Sequence, residues 1–201
     1  MIKNLLFDLG GVIMNIRREN AVQALEEIGM KDADSFLGEY VQKGPFLELE
    51  EGLISPSEFR NEIRKHIDGE VSDSAIDDAF SKFLTGIPEK RLNDLISLRN
   101  RGYKIYLLSN TNAIMWDGEI AAQFRKQGKN VDFYFDGIVT SFESKCCKPD
   151  ERIFKIVLDK IGIRAEETLF FDDSEKNLSA AARLGFKTAL VNPGTEFIDL
   201  L

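Results

Sequence analysis

The sequence predicts an α/β chain: a three-layer, Rossmann-like parallel sheet core with an inserted helical cap. Three observations predict it. Short apolar runs alternate with segments of helical periodicity, the pattern of repeated strand–helix–strand units. Those runs are continuous, as in Leu5-Leu6-Phe7, Ile105-Tyr106-Leu107-Leu108 and Leu169-Phe170-Phe171, which suits strands covered on both faces. Residues 16–85, by contrast, repeat apolar residues at helical spacing and contain no convincing strand.

Taken in order, the first strand is expected over residues 4–9. In the insertion, Ala21, Val22, Leu25 and Ile28 make one stripe ended by Gly29. Ser55-Pro56-Ser57-Glu58 is a capping box leading into Phe59, Ile63 and Ile67, and Val71 before Ser72 staples onto Ile76, opening a helix that carries Phe80 and Phe83. Pro88 suits a first helical position, Leu92, Leu95 and Ile96 share a face, and Gly102 follows the stop. Strands are expected at 104–109, 137–140, 168–171 and 188–191. A stripe of Ile153, Phe154, Val157 and Ile161 closes at Gly162, and Ser174 opens a helix whose Leu178, Ala181 and Leu184 face inward before Gly185. The expected core is therefore 1–15 with 86–201, the cap 16–85, and the hinges lie near 15–17 and 85–88. The long connection 113–131, with Arg125, Lys126 and Lys129, reads either as a helix shielding a site or as a partner surface.

Composition narrows the function classes. With 201 residues, 43% hydrophobic and 30% charged, the chain has the make-up of an ordinary globular protein. A formal net charge of −8 argues against a nucleic-acid surface, which needs a basic stripe. No apolar run approaches the ~20 residues of a membrane span, and the start runs into Asp8 too soon for a signal peptide. Adjacent Cys146 and Cys147 are read as reduced thiols, too few for a zinc site, and a cytoplasmic location is expected.

Ligands of open parallel sheets sit beyond the carboxyl ends of the strands. There the sequence places Asp8 after the first strand, Ser109-Asn110 after the second and Asp172-Asp173 after the fourth, with Lys148 just before the helix leading to that fourth strand. Clustered carboxylates repel unless a cation sits among them. An oxygen-rich set, in a chain with one histidine, favours a hard ion, and Mg²⁺ fits best. Asp8 then suits a covalent nucleophile. Ser109 and the amide of Asn110 suit the non-bridging oxygens of a phosphate, and Lys148 balances the charge of Asp8 and the transferring group.

Leu5-Leu6-Phe7-Asp8-Leu9-Gly10-Gly11-Val12, Leu107-Leu108-Ser109-Asn110, Lys148-Pro149 and Phe170-Phe171-Asp172-Asp173-Ser174 resemble, in order and spacing, the four motifs of haloacid dehalogenase-like hydrolases. An insertion just after the first motif resembles the helical cap of subfamily I. The resemblance implies a phosphatase acting on a small phosphorylated metabolite, with Asp8 as nucleophile and with Mg²⁺ held by Asp8, Asp173 and the carbonyl of Gly10. Asp172 becomes a further ligand or a supporting group, and Lys148 the third-motif lysine, with Lys145 as the less favoured alternative and otherwise a solvated loop residue.

One departure stands out. Most phosphatases of this superfamily carry a second Asp two residues after the nucleophile, as general acid and base; here that residue is Gly10. Assistance of this kind is worth roughly 10²–10⁴-fold. Three readings follow: leaving groups that need little protonation, another proton donor, or a protein that only binds phosphorylated ligands. The first is preferred, because the segment around Asp8 with Leu108-Ser109-Asn110-Thr111-Asn112 resembles a branch with glucose-1-phosphatase-like members, which implies sugar 1-phosphates. A 2-haloacid dehalogenase is the alternative enzyme, but Asp172-Asp173 would be idle and mutually repulsive in a metal-free site. Elsewhere the expectations are plain ones. His66 is a surface residue near a helix end, Met115 and Trp116 read as packing in preference to lining the mouth of the site, and Glu48, Glu50 and Glu51 as an exposed acidic run in preference to groups reaching from the cap toward a sugar hydroxyl.

Overall fold

A computed structural model describes residues 1–38 and 41–201. Five parallel strands form the sheet: β1 (Asn4–Phe7), β4 (Lys104–Ser109), β5 (Gly137–Thr140), β6 (Thr168–Asp172) and β7 (Lys187–Leu190), in the order β5-β4-β1-β6-β7. β1 is central, with Phe7 level with Leu107 of β4 and with Phe171 of β6. Alternate residues feed opposite faces. Leu5, Phe7, Ile105, Leu107 and Phe171 enter one apolar cluster, whereas Leu6, Tyr106, Leu108, Val139 and Phe170 enter the other. The second face is covered by α11 (Glu151–Ile161) and α12 (Glu175–Arg183), the first by α6 (Glu89–Asn100). The expected three layers are present, with strand ends within two residues of those read from the sequence.

Between β1 and β4 the chain builds α1 (Arg18–Glu27), α2 (Ala33–Phe36), α3 (Pro45–Glu50), α4 (Pro56–Arg64) and α5 (Asp73–Ser81). The capping box is formed: Ser55 accepts from the Glu58 amide while the Glu58 carboxylate accepts from the Ser55 amide. Phe46, Phe59 and Phe80 meet at centroid distances of 4.9–5.6 Å and are buried at the centre of this lobe. Aromatic triads of this sort add about 0.5–1.5 kcal/mol per pair beyond area burial. The lobe shares one continuous apolar cluster with the first face of the sheet.

The connections at 15–17 and 85–88 run side by side: β2 (Asn15–Ile16) pairs antiparallel with β3 (Leu84–Gly86), and the Arg17 amide bonds the Phe83 carbonyl at 2.8 Å. One sequence expectation needs correction here. Ser174 stands at the N-cap of α12 but its side chain makes no capping bond. The Asp172 carboxylate accepts from the Ser174 amide at 2.8 Å and from Asn177 Nδ2 at 3.0 Å, so the site carboxylate is tied to the helix start.

After β4 the chain is helical for most of 113–125: α7 (Ala113–Met115), a π-turn (Trp116–Ile120) kinked at Gly118, and α8 (Ala121–Arg125). Short α9 (Val131–Tyr134) and α10 (Ser141–Ser144) flank β5. Buried Arg91 of α6 ties the base of the ribbon to the C-terminal segment, donating to the Ile13 carbonyl, to Asn15 Oδ1 at 2.9 Å and, through two nitrogens at 3.0 Å, to Glu196. Glu196 is partly solvated, so the ion pair itself contributes little. The larger cost of losing Arg91 is the two orphaned acceptors. Arg91→Ala is expected to lower stability by about 1–3 kcal/mol, read as a shift of the urea midpoint at unchanged m-value.

Candidate active site

Because β1 lies between β4 and β6, the first residue beyond β1 sits beside the last residues of both neighbours. Asp8 and Asp172 come together there with Ser109, and Lys148 arrives from the loop between α10 and α11. Lys148 is buried, and its Nζ lies 2.8 Å from Asp8 Oδ1, 2.8 Å from Asp172 Oδ2 and 3.2 Å from the Leu108 carbonyl. All three of its protons are used. The Asn110 side chain grips the same residue by its backbone, accepting from the Lys148 amide at 2.8 Å and donating to the Lys148 carbonyl at 3.0 Å. Lys148, not Lys145, is therefore the lysine of the site. Lys145 donates to the Gly52 carbonyl of the helical lobe, so it is neither part of the buried cluster nor a loose loop residue.

Asp172 is fully buried, and its second oxygen accepts from the Ser174 amide and from Asn177 Nδ2 at 3.0 Å. Carboxylate oxygens of Asp8, Asp172 and Asp173 lie within 4.8 Å of one another. Burial drives the Asp8 carboxyl up to about 8, with Lys148 opposing and Asp172 and Asp173 adding to the rise. Burial also works against the charge of Lys148, but the two carboxylates outweigh it and hold the amine above its ordinary range. One lysine against three carboxylates leaves the cluster short of positive charge, and a divalent cation among them would return Asp8 to its ionised form. An all-oxygen donor set of this size suits a hard ion such as Mg²⁺. Gly11 makes room for the Asp173 carboxylate. Gly11 has φ of +75°, and a Cβ there would stand 2.1 Å from Asp173 Oδ2, so only glycine allows this carboxylate its position.

The cavity above this cluster has a volume of about 720 Å³, its open mouth included. Its floor holds Asp8, Gly10, Ser109, Asn110, Lys148 and Asp173, and its walls include Ile16, Phe80, Phe83, Met115 and Ile120. Asp8, Gly10, Ser109, Asn110, Lys148 and Asp173 thus line one cavity, while Asp172 is buried against Lys148 and does not line it. Met115 is on the wall, the less favoured of its two readings, and the 113–131 connection supplies two of its residues. His66 is elsewhere, bonded to Asp32 at 2.9 Å and edge-on to Phe36. Cys146 and Cys147 are free thiols, both pushed up by burial.

The chain belongs to the haloacid dehalogenase-like hydrolases. The model of that family matches residues 2–185. The chain is 36% identical over 197 residues to a D-ribitol-5-phosphate phosphatase of Bacteroides thetaiotaomicron, covering 98% of this chain and 95% of that one. A crystal structure of a haloacid dehalogenase-family enzyme from the same organism, in complex with magnesium and inorganic phosphate, superposes with a TM-score of 0.93 at 40% identity over the whole of both chains. A hydrolase of the same type from Porphyromonas gingivalis gives 0.91 at 36% identity, covering 100% of this chain and 96% of that one. Among the described residues no helix is long and apolar enough to cross a membrane.

Of the cavity residues, Asn177 escaped the sequence reading and Glu50 was given the wrong one of its two roles. Asn177, on the first turns of α12, helps hold Asp172; its spacing from Asp172, one helical turn past the cap, is the signal for it. Glu50 is the larger miss. It is not part of an exposed acidic run: Glu48 is exposed, but Glu50 is partly buried at the end of α3 and lines the cavity. Burial raises its carboxyl to about 8, opposed by Lys148 and reinforced by Glu51. The folded chain therefore keeps a proton at Glu50 that the unfolded chain releases near 4.5, so this group makes stability fall as pH rises between those values. Asp8 contributes a slope of the same sign, and the difference between wild type and Glu50→Gln isolates Glu50. Thermal melts at pH 5 and pH 8 are expected to show a smaller loss of Tm for the variant.

Proposed function

We propose that the protein is a Mg²⁺-dependent phosphatase hydrolysing the phosphate ester of a small sugar or sugar alcohol through a phosphorylated Asp8. The observation that carries the reading is the buried Lys148 bridging Asp8 and Asp172, with Asp173 completing a set of three carboxylates beside that one ammonium. Asp8, Asp173 and the carbonyl of Gly10 would hold the metal. When bound, the ion neutralises the charge between nucleophile and phosphate and polarises the phosphoryl group.

The chain's own residues do the rest. Lys148 keeps Asp8 oriented, and with Ser109 and the Asn110 amide it receives the phosphate oxygens. An Asp8 oxygen attacks phosphorus in line and the ester bond breaks; water then hydrolyses the acyl phosphate. Residues 16–85 act as the cap, their apolar wall over the site excluding bulk water. For the ester itself, Gly10 supports 1-phosphates, whereas similarity to a D-ribitol-5-phosphate phosphatase supports a terminal ester. A dehalogenase has no use for the surplus carboxylates, and a pure binding protein has none for an oriented Asp8.

Phosphate release from glucose 1-phosphate, ribitol 5-phosphate and p-nitrophenyl phosphate tests this. Turnover should require Mg²⁺, stop with EDTA and vanish in Asp8→Asn; metal-independent turnover, or turnover surviving in that variant, would refute it. Asn110→Ala, which leaves Lys148 without its two backbone clamps, is expected to lower kcat about 10–100-fold through misplacement, measured on whichever ester turns over fastest.

A further inference from the structure

An alkyl phosphate releases an alkoxide unless a proton meets the departing oxygen, and Gly10 has no proton to give. Nor is the floor around it suited to an acid. A Cβ at Gly10 would stand 3.3 Å from a methyl of Ile16, so that side of the cavity is closed by hydrocarbon.

The opposite wall is different. Of the titratable residues lining the cavity, Asp8 is the nucleophile of the reading above, Lys148 is fixed in two ion pairs, and Asp173 belongs to the carboxylate cluster. The fourth is Glu50. Among the described residues its carboxyl makes no hydrogen bond and no salt bridge, unlike the Glu58 carboxylate that caps α4 or the Glu196 carboxylate that binds Arg91. A partly buried carboxyl without a partner is costly to maintain unless something else calls for it.

Its placement is also well supported. Phe46 and Leu49 bury the inner face of α3, and the end of that helix seats directly on the core. A Cβ on Gly52 would lie 2.1 Å from the Phe142 carbonyl, and the Gly52 carbonyl accepts from Lys145. The groups facing Glu50 are the Lys148 ammonium, the Glu51 carboxylate and the Cys147 thiol.

We propose that Glu50, delivered by the helical lobe, is the proton donor and acceptor that replaces the acid missing at Gly10. The inference rests on the phosphatase reading. In the first step an Asp8 oxygen bonds phosphorus as the ester P–O bond breaks. The electron pair stays on the departing oxygen, which takes the Glu50 proton and leaves as an alcohol. In the second step water attacks the phosphorus of the acyl phosphate and gives its proton to the Glu50 carboxylate. The bond to Asp8 breaks, returning its carboxylate and releasing phosphate. Burial raises the Glu50 carboxyl to about 8, which favours the protonated form with which the first step begins. The consequence for specificity is that primary alkyl phosphates are substrates despite Gly10.

Glu50→Gln tests it with two esters in Mg²⁺. On ribitol 5-phosphate, whose alkoxide needs a proton, kcat/KM should fall about 10²–10⁴-fold, and the loss of wild-type activity above about pH 8 should disappear. On p-nitrophenyl phosphate, whose leaving group departs as an anion, the variant should release a rapid burst of one equivalent of p-nitrophenol and then turn over slowly, because the second step still lacks its base. Glu50→Asp should recover part of both activities. A variant that loses both esters equally with no burst would assign Glu50 a merely structural role and overturn the inference, as would one indistinguishable from wild type. Wild-type protein inert on both esters would instead overturn the phosphatase reading itself.

Discussion

The structure depends on one buried cation. Three carboxylates within 4.8 Å at the ends of two adjacent strands would repel strongly in a low-dielectric interior. Lys148 makes that arrangement tenable by bridging Asp8 and Asp172 at equal distances of 2.8 Å. Every neighbouring feature serves its position. Asn110 fixes its backbone, Leu108 takes its remaining proton, and Asn177 with the Ser174 amide satisfies the far side of Asp172. A buried ion pair is weak evidence of net stability, since desolvation offsets most of the attraction. Its value here lies in geometry: Asp8 has one orientation because its partner has one.

Much of this was legible in the sequence because the sheet imposes it. Continuous runs such as Leu5-Leu6-Phe7 identify strands buried on both faces, and a parallel order brings their carboxyl ends together, so Asp8, Ser109 and Asp172 had to converge once β1 was central. What remained hidden depends on short elements and on contacts distant in sequence. The β2–β3 ribbon has two and three residues, too few for any periodicity to show. Lys145 had two sequence roles open to it; only the packed lobe reveals its bond to Gly52. Ser174 looked like a cap and stands at that position, yet its hydroxyl makes no capping bond and its own amide turns back to the Asp172 carboxylate.

Glu50 shows how composition can mask pattern. Three glutamates in four residues suggest a solvated face, but α3 is six residues long and Glu50 lies four after Phe46, on the turn directly above it. The helix buries Phe46 and Leu49 and carries Glu50 inward with them, while Glu48 points to solvent. Counting charges hid what helical spacing would have revealed.

The pairing of Asn15 with Gly86 and of Ile16 with Leu84 has a further consequence. Seen from the sheet, everything between those residues is a single closed excursion whose two feet stand side by side. The entropic cost of such an excursion grows only with the logarithm of its length, and no strand must slide to accommodate a longer or shorter one. A longer or shorter excursion would therefore leave Asp8, Lys148 and Asp172 in register, whereas Glu50 and the lobe's part of the apolar wall over the cavity travel with it.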